Sequence, residues 1–155
     1  MADHTETIIQ AIIIALQGIT EDNGYAITIQ SVQRYDRLRL TTNEKPCIHV
    51  SWNGNNRHQV GAGWDTLLTV HLDVYLQEYF EDTRSTDEIL ELYKWAVETG
   101  LTSMNWGGLA ADLQDMNSTY FAITDPAGAT EDGVEFDLTI YYRLELFELA
   151  IASPI

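Results

Sequence analysis

Apolar residues follow two different periods along this chain. Near its start, Ile8, Ile9, Ile12, Ile13 and Leu16 recur at spacings of three and four, which places them on one face of an α-helix. Asp3 and Glu6 lie early and Gly18 follows the last periodic residue, the usual arrangement at the two ends of a helix. The four isoleucines of the stripe make this helix costly, because β-branched side chains lose rotamer freedom against the preceding turn. Burial of the stripe must outweigh that cost, so the helix is expected to pack on a sheet or partly on a neighbouring subunit.

After the turn Glu21-Asp22-Asn23-Gly24 the period changes to two. Tyr25, Ile27 and Ile29 alternate in a strand-like stretch ending at Ser31. Ile48, Val50 and Trp52 alternate from Cys47 to Trp52, with Pro46 at the strand start, where its missing N–H matters least. Two later stretches are stronger. From Leu67 to Leu76, Val70, Leu72, Val74 and Leu76 share one face, while Thr69, His71, Asp73 and Tyr75 share the other. From Val134 to Leu146, Val134, Phe136, Leu138, Ile140, Tyr142, Leu144 and Leu146 oppose Glu135, Asp137, Thr139, Tyr141, Arg143 and Glu145. Such alternation predicts a half-buried antiparallel sheet.

Between those strands a second helix is marked by Ser85 and Glu88, a capping-box pair, with acids in the first turn. Ile89, Leu92, Tyr93, Ala96 and Val97 supply its stripe and Gly100 its stop. Beyond Gly107-Gly108, Leu109, Leu113 and Met116 predict a shorter helix over Leu109 to Met116. Tyr120 to Thr124 then reads as a strand turning at Asp125-Pro-Ala-Gly. Arg34 to Lys45 is polar, with Leu38 and Leu40 as candidate anchors. Asn53 to Trp64 is rich in glycine and asparagine and reads as a hairpin connection or exposed arm. The expected fold is α+β: a mostly antiparallel sheet of about five to six strands carrying two main helices and one short one. Residues 1–155 show no repeat or linker and are expected to form a single domain.

Composition narrows the function. A chain of 155 residues buries roughly 70% of its unfolded surface. The excess of 24 acidic over 8 basic residues gives a formal charge of −16, which argues against a free-standing nucleic-acid binder. Cys47 is the single cysteine, so no intrachain disulfide or thiolate cluster can form, which suits a reducing cytoplasm. The opening MADHTET lacks the basic region of a signal peptide. The apolar stretch Ile8 to Leu16 is too short to span a bilayer, so a soluble protein is expected.

A search for chemistry finds little. Gly61-Ala-Gly63 is too short for a phosphate loop and no Lys-Ser/Thr pair follows it, while Gly107-Gly108 fits a turn. His71 and Asp73 share a strand face and His49 lies on another strand, so two imidazoles and a carboxylate offer metal-ligand types. No tight ligand spacing supports a metal, and outward-facing polar residues are the simpler account. His49 follows Cys47 by two residues, but a lone cysteine usually acts as a small core residue. The acid pairs Glu81-Asp82 and Asp87-Glu88 fit loop solvation and helix N-terminal charge. No catalytic residue, cofactor or metal ligand is assigned, and no enzyme is expected.

Charge distribution is more informative. Arg34, Arg37, Arg39, Lys45 and Arg57 place five of the eight basic residues in one stretch, and the chain after Gly61 is strongly acidic. An acidic body with a mildly basic arm suits contact between identical subunits; ordinary surface salt bridges fit equally well. Trp52, Trp64 and Trp106 adjoin glycine- or asparagine-rich segments, as interface anchors do, or as lids on a core do. The candidate interface set is Arg34, Arg37, Arg39, Asn55, Arg57, Trp64, Trp106 and Leu109.

Taken in order, the Ile-rich helix, the strand Pro46-Cys-Ile-His-Val, the alternating strand Thr66 to Gln77 and the capped helix Ser85 to Thr99 form a layout. It continues through Trp106-Gly-Gly-Leu-Ala-Ala-Asp-Leu and closes on Ile140-Tyr-Tyr-Arg-Leu. The layout resembles the tail terminator (tail completion) proteins of long-tailed bacteriophages, over nearly the whole chain, by architecture and spacing rather than by a signature motif. The resemblance implies a structural protein of the virion tail or neck, assembled in the host cytoplasm. It implies a homo-oligomeric, usually hexameric, ring that caps the tail tube, stops its polymerisation and offers a docking face to the head connector. Implied partners are further copies of the chain, the tail tube protein, head–tail connector or neck proteins, and a sheath protein if the tail contracts. Genomic DNA would pass through without specific binding. Another neck or tail part, such as a head–tail joining or tube-like subunit, fits the same layout. A small ligand- or metal-binding domain is the remaining alternative.

Overall fold

The structure is a computed structural model that describes residues 4–34, 46–76, 85–106, 109, 111–124, 126 and 130–145. The isoleucine stripe forms helix α1, Thr5–Gln17, with Ile8, Ile9, Ile12, Ile13 and Leu16 buried. Gly18 closes it by donating its N–H to the Ala15 carbonyl at 3.2 Å. His4 precedes the helix in the left-handed region, at φ 68°, and its own side chain makes no capping hydrogen bond to the first turn. A 3-10 turn at Glu21–Asn23 follows, capped by the Thr20 hydroxyl, and Gly24 leaves it at φ 91°.

Among the described residues, five strands form one sheet in the order β1-β2-β3-β5-β4. They are β1, Ser31–Arg34; β2, Cys47–Val60; β3, Gly63–Tyr75; β4, Ala111–Thr124; and β5, Thr130–Glu145. Helix α2, Thr86–Thr102, lies between β3 and β4 in sequence. The α+β class and two main helices agree with the sequence reading. The sheet is mixed, because β1 runs parallel to β2 while every other pair is antiparallel.

Alternation decides which face is buried. Thr66, Leu68, Val70, Leu72 and Val74 of β3 and Val134, Phe136, Leu138, Ile140, Tyr142 and Leu144 of β5 are buried. They form one core with the apolar faces of both helices. Each fully buried leucine, isoleucine or phenylalanine contributes about 1.5–3 kcal/mol relative to exposure. Helix α1 packs near β1 and β2, and α2 near β4 and β5, so the helices together cover one side of the sheet.

Three expectations are corrected. The stretch Leu109 to Met116 is not a helix; from Ala111 onward it is the edge strand β4, while Leu109 sits in the bend before it. A one-residue bulge between Leu113 and Asp115 shifts the alternation, so Leu113 faces Ile140 and Met116 faces Leu138 on one side of the sheet. Their spacing imitates a helical stripe. Residues 25–30 are not in the sheet, although Ile27 and Ile29 are buried. Ile29 donates instead to the Ile19 carbonyl at 2.9 Å, and the ladder begins at Ser31. Helix α2 runs through Gly100 to Thr102, and Leu90 rather than Leu92 is buried. Gly100 is where the helix passes the side chains of Ile19 and Tyr25, which a Cβ there would touch at 3.5–3.6 Å.

The Asn53 to Trp64 segment is a strand-paired hairpin. Its connection is Gly61-Ala62, with Gly61 at φ 63° and Ala62 outside the left-handed region, the pattern of a type II′ turn. A bulge between Trp52 and Asn55 contains Gly54 at φ 101°. The expected connection or arm is thus narrowed: residues 53–60 belong to β2 and only Gly61-Ala62 joins the strands, with Gly54 in the bulge and Gly61 in the turn.

Candidate functional site

The sheet face away from the helices carries the titratable groups. Cross-strand register places His71 opposite Asp137 and Asp73 opposite Glu135 on the two central strands. The His71 Nδ1 lies 2.8 Å from Asp137 Oδ1, and its Nε2 lies 2.9 Å from Asp73 Oδ1 and 3.6 Å from Glu135 Oε2. His71 is only 20% exposed along its side chain, so the imidazole sits partly withdrawn among three carboxylates. Burial disfavours its charged form, but hydrogen bonds to Asp137 and Asp73 and their negative charge outweigh that. The result is a histidine pKa raised above its ordinary value.

Beside this cluster runs an aromatic row. Phe121 lies edge-on to Tyr75 with ring centroids 5.6 Å apart, and Tyr75 lies edge-on to His49 at 5.4 Å. Gly133 makes room for it: a Cβ there would lie 2.3 Å from Phe121 Cζ and 2.2 Å from the Val74 carbonyl oxygen. His49 is buried opposite Asp73. Cys47 is buried at the start of β2, opposite Tyr75.

At the other end of the sheet Arg143 fastens the hairpin tip. Its guanidinium donates to the Val60 carbonyl at 2.8 Å and to Asp65 Oδ1 at 3.2 Å, and the Tyr141 hydroxyl donates to the same Asp65 oxygen at 2.8 Å. The bond to Asp65 raises the Tyr141 pKa. Asn53, Asn56 and residues 58–60 of β2 are exposed, and Trp52 is 50% and Val60 44% exposed. Leu67 of β3 is 37% exposed. Here the chain offers a stiff ribbon with apolar side chains in solvent.

The candidate interface residues are dispersed. Arg34 ends β1 and pairs with Glu6 of α1 at 2.8 Å; hydrogen bonds from Gln10 and then from Arg34 hold the Glu6 carboxyl below its ordinary range. Arg37 and Arg39 lie outside the described residues. Asn55 follows the β2 bulge opposite Leu68, and Arg57 is half-buried opposite Thr66. Trp64, Trp106 and Leu109 are partly buried and pack against the core. Trp64 Nε1 and the Thr66 hydroxyl are buried with no hydrogen-bond partner among the described residues. Trp95 of α2 and Ile14 of α1, which the sequence did not single out, are 58% and 67% exposed. Glu135 and Asp137 were legible only as outward positions of the last strand. Nothing in the sequence said that this strand lies beside the one carrying His71 and Asp73.

The fold and these surfaces define an α+β protein with a five-stranded mixed sheet, two helices on one side and a charged second face. Comparison with protein-family models and with curated protein sequences finds no match. No helix among the described residues is long and apolar enough to cross a membrane.

Proposed function

We propose that this chain is a structural assembly subunit of the tail-terminator kind. It forms a homo-oligomeric ring, most simply a hexamer, that caps a phage tail tube, stops its polymerisation and provides the docking surface for the head connector. The observation that carries the reading is the β2–β3 ribbon. Beyond Val50 its first strand is half-buried to exposed, its tip is clamped by Arg143, and it presents Trp52, Val60 and Leu67 to solvent. A rigid strand pair with an exposed tryptophan suits an interface, where aromatic anchors carry a large share of the binding energy. The chain as a whole is strongly acidic, and five of its eight basic residues fall between Arg34 and Arg57, a stretch that suits contact with the acidic body of a neighbouring copy. The resemblance described above supplies the particular assembly.

The test is light scattering and negative-stain microscopy of the purified protein over a concentration series, alone and with tail tube protein. Closed rings, or ring caps on tube ends, are expected. Trp52→Ala should weaken subunit association by roughly 2 kcal/mol, about 30-fold. It should leave the monomer's stability within about 0.5 kcal/mol, as a surface substitution does. Monomers at every concentration, with tubes that grow unchecked in the protein's presence, would overturn the proposal.

A further inference from the structure

We infer that His71, Asp73 and Glu135 form a binding site for one divalent transition-metal cation of the zinc class. Their candidate ligand atoms all lie within 4.8 Å of one another, on two adjacent central strands. Two donors on one tetrahedral zinc, each about 2.0–2.1 Å from it, are about 3.3 Å apart. His71 Nε2 is 2.9 Å from the Asp73 oxygen and 3.6 Å from the Glu135 oxygen, which brackets that value. Adjustments of a few tenths of an ångström in these two separations would bring the imidazole and both carboxylates to zinc-ligand spacing.

The fourth group sets this arrangement apart from a mere collection of acids. Asp137 stands outside the three and holds His71 Nδ1 at 2.8 Å. A carboxylate accepting from one ring nitrogen fixes the tautomer and aims the other nitrogen's lone pair at the metal, the usual outer-shell arrangement of a metal-bound histidine. The charges agree. Asp73 and Glu135 face each other directly across the β3–β5 ladder, where like charges repel. A dication with neutral imidazole and these two carboxylates leaves the three-ligand set neutral. One imidazole and two carboxylates select zinc and its neighbours over magnesium or calcium, which prefer all-oxygen sites. Three protein donors leave a position for water.

Zinc requires the lone pair of His71 Nε2 that a proton would otherwise occupy. Metal and proton thus compete, and zinc affinity should fall as the pH drops. The inference does not depend on the ring reading, since all three donors belong to one chain.

Isothermal titration of the full chain with Zn2+ in a non-chelating buffer tests it. One equivalent per chain is expected, lost in His71→Ala and in Asp73→Asn. It should weaken about 10–100-fold in Asp137→Asn, which keeps the shape but loses the charge that orients the ring. His58→Ala, at an exposed histidine on β2, should bind as the wild type does. Nitrogen-15 spectra of the wild type need no variant to fold: zinc should shift the Nε2 resonance of His71. Absence of stoichiometric binding, undiminished binding in His71→Ala, or a zinc-induced shift confined to His4, His49 or His58 would each overturn the assignment.

Discussion

Replacing Thr66 by valine should stabilise the protein. Thr66 lies on the helix-covered face of β3, between Arg57 of β2 and Tyr142 of β5, and is 0% exposed. Its hydroxyl has no hydrogen-bond partner among the described residues, so folding strips it of water without replacement. In proteins such a loss costs about 1–3 kcal/mol. Valine keeps the branched shape and the preference for strands, and exchanges the stranded hydroxyl for a methyl group. The gain should therefore be about 1–3 kcal/mol. For a chain of this size each kcal/mol moves Tm by about 2–4 °C, so a rise of roughly 2–12 °C is expected. Urea unfolding should show a higher midpoint with unchanged slope. The companion Thr66→Ser keeps the hydroxyl and deletes a methyl, and should lose about 1 kcal/mol. If Thr66→Val is instead less stable than the wild type, the hydroxyl has a partner and the reasoning fails.

Two further substitutions probe other parts of the sheet. Gly133→Ala should destabilise by about 1–3 kcal/mol or more, because the new methyl meets the Val74 carbonyl as well as the Phe121 ring. Trimming the ring in Gly133→Ala/Phe121→Ala should not restore stability, since the backbone contact persists; full recovery in a denaturant melt would contradict this. The Tyr120 hydroxyl donates to Glu91 of α2, and that bond, with lesser help from burial and nearby acids, pushes its pKa up to about 12. A folded-state pKa above the unfolded value near 10 means that this stabilisation is complete below pH 10. It disappears as the pH climbs through about 12. Absorbance at 295 nm should show a late-ionising tyrosine in the folded wild type that is missing from Tyr120→Phe. Equal titration curves would remove the bond.

Much of the fold was legible because single-period stretches speak for themselves. The isoleucine helix, the Ser85 cap and the alternation of β3 and β5 all survive, since each is set by local spacing and one buried face. Where two periods overlap, the sequence misleads. Leu113 and Met116 are spaced like a helix because a bulge adds one residue to a strand, Leu109 sits in the bend before it, and bulges leave no pattern of their own. Tyr25, Ile27 and Ile29 alternate because they too bury every second residue, but their backbone bonds to a loop rather than to the sheet. Leu90 is buried where Leu92 was expected, on a helix that meets α1, β4 and β5 together. The His71 cluster shows the limit most clearly. His71 and Asp73 could be placed together from one strand, whereas Glu135 and Asp137 joined them through strand order, which depends on packing across the whole molecule.

The central β3–β5 pairing also governs the order in which this protein can come into being. It joins residue 63 to residue 145 and residue 75 to residue 133, with α2 and the whole of β4 in between. Contacts so distant in sequence must overcome the entropy of closing a long loop before they return any energy, which slows folding. During synthesis the β2–β3 hairpin emerges early, but its inner edge has no neighbour until the last strand is made. A nascent chain therefore carries an open β edge, the kind of surface that captures other strands. Completion of β5 both seals that edge and finishes the platform on which the charged face is laid out. Chains truncated before it should aggregate rather than accumulate as smaller folded forms.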